Sequence, residues 1–154
     1  MSFVVRRAAP EDAALLAEHR ARVWREVGDW DAGVLAPQIP IWTKWMRGAL
    51  ADGTYAGWIA EREREPVGSG AVLVHLAIPR PGSRSDRAGR VQSVYVVPAA
   101  RRSGIARALM HEAIAFARET SLIFLALHPS DEARPLYASM GFAESDEMLL
   151  RFGR

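Results

Sequence analysis

Between Arg90 and Leu127 the chain changes hydrophobic period twice. "RVQSVYVV" (90–97) is a strand-like apolar run stopped by Pro98. "SGIARALMHEAIAFARET" (103–120) then places Ile105, Leu109, Ala113 and Phe116 at helical spacing, with Arg107, His111 and Arg118 on another face. "SLIFLAL" (121–127) returns to a short, buried-looking strand. Strand, helix and strand in this order indicate a fold with helices packed on a sheet.

The rest of the chain adds to that sheet. "SFVVRRA" (2–8) reads as a first strand, and Pro10 with Glu11 and Asp12 opens a helix running to about Val27, with Gly28 as its stop. "DWDAGVLAPQIP" (29–40) reads as a loop, and "IWTKWMRGALADG" (41–53) as a second helix. "YAGWIAERE" (55–63) and "VGSGAVLVHLAI" (67–78) are strands joined by a turn around Glu65 and Pro66. "PRPGSRSDRAG" (79–89) is a polar loop, "SDEARPLYASM" (130–140) a short helix, and "FAESDEMLLRF" (142–152) a last strand. The expected order is β-α-α-β-β-β-α-β-α-β, a mixed α/β sheet flanked by helices in a single domain spanning 1–154.

Composition excludes several chemistries. The 154 residues include no cysteine, which removes disulfides, thiolate metal sites and any acyl-cysteine intermediate; no metal site is expected. The N-terminal apolar stretch is too short for a signal peptide, and no apolar run is long enough to span a membrane, so a cytoplasmic, soluble protein is expected. Net charge is +2 and no basic stripe interleaves with aromatics, so neither nucleic acid nor a membrane is expected as a partner.

The chemistry concentrates at "PAARRSGIARALM" (98–110), where a strand turns into a helix. Such a turn presents unpaired backbone N–H groups and the positive end of the helix dipole, and a glycine lets an anion approach them. An ordinary turn with solvated arginines accounts equally well for this segment alone. A Walker loop is ruled out because the turn has no lysine, and a dinucleotide fingerprint because it has one glycine.

"RRSGIA" (101–106) reads R-x-x-G-x-A behind a strand ending in "VYVVP". This resembles the coenzyme-A loop of the GNAT superfamily of N-acetyltransferases, written Q/R-x-x-G-x-G/A. Ala133, Tyr137, Gly141 and Phe142 also match the Ala-x-x-x-Tyr-x-x-x-Gly-Phe pattern of that family's fourth helix. The resemblance implies acetyl-CoA as co-substrate and a small-molecule or peptide amine as acceptor, with a homodimer left open.

Residue by residue, it implies that backbone amides of Arg102, Ser103, Gly104, Ile105 and Ala106 hold the pyrophosphate, with Arg101 and Arg107 nearby. The strand segment Val94, Tyr95 and Val96 would carry the pantetheine arm, through the main chain of Val94 and Val96. The Val96 N–H would donate to the oxyanion. Tyr137 would protonate the leaving thiolate, and Ser130 would cap a helix or touch the pantetheine.

The chain departs from the family at Gln92, where many members carry a glutamate as general base. His128, an acid such as Glu26, Asp29 or Asp31, or an acceptor that arrives neutral remain as alternatives. The first two helices offer Trp24, Trp30, Trp42 and Trp45 with Glu18, Glu26, Asp29 and Asp31, an expected acceptor pocket of aromatic walls and carboxylates. Gln92 also motivates the competing expectation of a CoA-binding sensor without catalysis, and the loop that of a binder of another phosphorylated ligand.

Overall fold

The sheet is built from β1 (Val4–Arg7), β2 (Tyr55–Arg62), β3 (Glu65–Leu76), β4 (Arg87–Val96) and β5 (Leu125–Ala126). They are hydrogen-bonded in that order in the computed structural model, which describes residues 2–153. β1 to β4 are antiparallel, and β4 pairs with β5 in parallel. Helix α4 (Ile105–Glu119) is the crossover between the two parallel strands.

Helices cover both faces. On one, α4 buries Ile105, Leu109 and Ala113 against Trp58, Val72 and Val91, as its periodicity predicts, and α5 (Arg134–Ser139) adds Tyr137. On the other, α1 (Ala13–Gly28) and α3 (Gln38–Asp52) bury Leu16, Ala17 and Met46 against Ile59 and Ala71. Trp58 and Ile59 are neighbours facing opposite sides, as are Ala71 and Val72, because side chains alternate along a strand. The central strands are therefore apolar on both faces.

Several elements differ from the sequence expectation. Asp29, left-handed at φ 54°, caps α1 just after Gly28. The segment 29–40 contains a short helix, α2 (Ala32–Leu35), capped by the Asp31 carboxylate accepting from Gly33 N–H. Helix α3 starts before Pro40, because a proline in the first turn gives up no intrahelical hydrogen bond. The β2–β3 turn lies at Glu63 and Arg64, both at positive φ (51° and 68°), as a two-residue hairpin turn demands. Pro66 follows inside β3, and the usual Asn or Gly signal is missing.

The last strand is a correction. Residues 142–153 form no ladder, and Met148 and Phe152 are 94% and 89% exposed. The segment mixes charged and apolar residues and could pair only where a sheet edge receives it, and β5 is two residues long.

Candidate active site

Strand β4 carries the distinctive geometry. Its register with β3 runs from Tyr95 opposite Ser69 to Gln92 opposite Ala71, so β4 holds one extra residue there. Ser93 absorbs it at φ 53°, a β-bulge. The Gln92 and Ser93 side chains both reach Arg20 of α1, at 3.1 and 2.9 Å, so the bulge places two successive side chains on the α1 face. Beyond it Val94 and Val96 pack with the α4 core, while Tyr95 turns toward α1, its ring centroid 4.9 Å from that of His19.

The same bulge sets the backbone. Val97 N–H donates to Val67 O at 2.9 Å, so Val97 and Tyr95 face β3 with their polar groups, and Val96 faces the opposite edge. Tyr95 is thereby removed from that edge. Pairing with β5 stops at Arg90 opposite Ala126, and among the described residues no strand covers this edge of β4 from Val91 onward. The Val96 carbonyl is instead met by Arg101, whose Nε donates at 2.9 Å while its Nη2 donates to Glu26 at 2.7 Å. Arg101 therefore straps the end of β4 to α1 rather than pointing into the turn.

The turn after β4 leaves a run of amides unbonded. Arg102 and Gly104 are left-handed (φ 61° and 85°), and Ala108 is the first α4 residue to donate within the helix, to Gly104 O. The N–H groups of residues 102–107 have no acceptor among the described residues. A Cβ on Gly104 would meet nothing within 4 Å, so the space beside this turn is open. Ile105 sends its side chain into the core, and the Ser103 hydroxyl donates to Ala100 O at 2.5 Å, so main chain dominates the surface presented. Arg107 donates to the Ser139 hydroxyl at 3.1 Å, tying α4 to α5.

Tyr137 and His128 both line a cleft of about 750 Å³ beside β5 and the C-terminal segment. The Tyr137 ring packs in the same core as Val94, Val96 and Ile105, and burial raises the pKa of its phenol above the usual tyrosine value. His128 differs: its Nε2 lies 3.1 Å from Arg90 Nη1. A guanidinium only donates, so this nitrogen accepts, and its lone pair is already engaged. Ser130 caps the turn before α5, its hydroxyl accepting from Ala133 N–H at 3.2 Å.

Three acids of α1 and the next loop are engaged, Glu18 with Arg22, Glu26 with Arg101 and Asp31 in the cap of α2, while the Asp29 carboxylate has no partner among the described residues. Behind Gln92 lies a cavity of about 220 Å³ lined by Arg20, Trp45, Met46, Tyr55, Leu73 and Gln92. It contains no carboxylate, and of the four tryptophans named above Trp45 alone lines it. Arg20 and the buried His19 carried no sequence signal, because each is one polar residue within an amphipathic helix.

A mixed sheet whose parallel pair splays apart beside a run of free amides at a helix start defines the GNAT architecture. The chain belongs to that family: the family model of the acetyltransferase (GNAT) domain matches residues 37–153. A GCN5-related N-acetyltransferase from Ralstonia eutropha JMP134 is 33% identical, with 98% of this chain and 99% of that one covered at a TM-score of 0.88. A predicted acetyltransferase with acetyl-CoA from Clostridium acetobutylicum shares the fold at 24% identity, 98% and 96% coverage and a TM-score of 0.87. Among curated proteins none matches the sequence. No helix among the described residues is long and apolar enough to cross a membrane.

Proposed function

We propose that the protein transfers acetyl from acetyl-CoA to an amine by direct attack. The observation that carries this reading is the unbonded run of amides at 102–107, continuous with the uncovered edge of β4. Successive N–H groups at a helix start suit a pyrophosphate. The uncovered strand edge suits the amides of a pantetheine arm, which would add like a further strand. Binding there requires Arg101 to release the Val96 carbonyl.

The thioester supplies an activated acetyl carbon. Its carbonyl would receive the Val96 N–H, placed to stabilise the oxyanion. The amine nitrogen bonds to the acetyl carbon, the carbon–sulfur bond breaks, and the phenol proton of Tyr137 passes to the departing sulfur. The amine must shed its own proton. With no carboxylate in the cavity and the His128 lone pair engaged, the acceptor enters as the neutral amine, and we assign to solvent the proton its nitrogen loses after attack, solvent returning one to the Tyr137 phenolate.

The test is free-thiol release from acetyl-CoA across a panel of amines. Thiol release with some amine establishes the transferase. Acetyl-CoA binding without release across the panel would instead establish the sensor that Gln92 motivates. Gly104→Val checks the loop. Nothing obstructs the new side chain, but a β-branched residue at φ 85° is strained by about 1–2 kcal/mol. The variant is expected to stay folded, with a melting temperature lower by roughly 3–8 °C, and to bind acetyl-CoA at least about 10-fold more weakly by calorimetry. Unchanged affinity would return the turn to an ordinary strand-to-helix connection.

A further inference from the structure

The cavity beside Gln92 contains one charged group, Arg20, and it is a cation without an anion. Arg20 is half-buried in the middle of α1, its guanidinium carbon 5.5 Å from the Trp24 ring centroid and 5.2 Å from that of Trp42. Nη1 donates to Gln92 and Ser93. Nε and Nη2 have no acceptor, and no carboxylate among the described residues pairs with the side chain. Arg22 of α1 and Arg101 of the turn each hold a glutamate, whereas Arg20 holds none.

This arrangement bears on which amines can enter. The faces of Trp24 and Trp42 are already taken by a cation, so they do not form an empty cage for a substrate ammonium. An ammonium brought beside Arg20 would be repelled, in surroundings where aromatic walls weaken solvent screening. A half-buried guanidinium with two free donors is matched by a planar carboxylate, which can accept from both at once. The cavity, about 220 Å³, admits a molecule of single amino-acid size.

Building on the transferase reading, we infer that the acceptor is a small amino carboxylate whose carboxylate is held by Arg20 in the cavity beside Gln92. Gln92 then serves as a neutral support that keeps the guanidinium aimed into the cavity. A carboxylate at that position would have neutralised the cation internally and removed the site. Its departure from the family pattern and the unpaired arginine are one feature.

Matched pairs differing only in the carboxylate test this: phenylalanine against phenethylamine, and leucine against isoamylamine, with phosphoethanolamine as a separate anionic arm. Binding is followed by the fluorescence of the tryptophans around Arg20, with and without CoA, and turnover by thiol release. The expected result is that each amino acid binds about 10- to 100-fold more tightly than its decarboxylated partner, the range for a charge-assisted pair. In Arg20→Gln that ratio collapses towards one, and Arg20→Lys restores part of it. Equal binding of acid and amine by the wild-type protein overturns the inference without any variant, and phosphoethanolamine binding alone overturns the carboxylate in favour of phosphate. Carboxylate-selective binding without thiol release sustains the Arg20 site while the transferase reading fails. Thiol release with no carboxylate preference does the reverse.

Discussion

Replacing Tyr137 with phenylalanine is expected to lower kcat by about 100-fold or more while acetyl-CoA still binds, the effect of losing a positioned general acid. The substitution is clean for a physical reason. Burial is the one cause of the raised phenol pKa, and no hydrogen bond to the hydroxyl contributes. Deleting the oxygen therefore strands no buried partner, while the ring keeps its packing against Phe142, 5.9 Å away between centroids. The melting temperature should move by only a degree or two, roughly half a kcal/mol. The raised pKa also keeps the phenol protonated throughout the neutral range, so this group should impose no fall in rate up to about pH 10. A Tyr137→Phe enzyme with wild-type kcat would show that the thiolate departs without this proton.

The parts of this molecule that repeat a pattern were legible in its sequence, and the parts made by single long-range contacts were not. The face of α4 follows from the spacing of Ile105, Leu109 and Ala113, and the turn at Gly104 from one glycine between a strand and a helix. The hairpin turn was misplaced because Pro66 punctuates the sequence while Glu63 and Arg64 adopt the turn. The bulge at Ser93 leaves no mark, since a left-handed serine looks like any strand serine. Around α1, composition cannot say which charges are already paired. Glu18 and Glu26 looked available until their arginines were located, and the partners of Arg20, Gln92 and Ser93, lie more than 70 positions away.

Acid should destabilise the protein through His19. This ring is 3% exposed, with Nδ1 2.7 Å from the Ser69 hydroxyl and the Tyr95 ring against it. Burial, helped by the charge of Arg22 and opposed by that of Glu18, lowers its pKa from 6.5 to about 4. Between those values the unfolded chain holds a proton that the native protein does not. Stability contributed by the neutral ring is thus complete above about pH 6.5 and is lost as pH falls toward 4. The loss should be about 2 kcal/mol between pH 7 and 5 and about 3 kcal/mol by pH 4. Asp12, its carboxyl held below the ordinary 3.8 by Arg6, contributes stability that is lost only at lower pH, so the two windows separate. Urea unfolding at half-unit steps measures the slope, and His19→Gln supplies the control: less stable at pH 7, but nearly flat from 7 to 5. Equal slopes in the two proteins would mean that another group carries the titration. The ring lies between α1 and Tyr95, one residue from Arg20, and Tyr95 is two residues from the bulge at Ser93. Its protonation should therefore loosen α1 from the bulge, and acceptor binding should weaken over the same pH interval as stability.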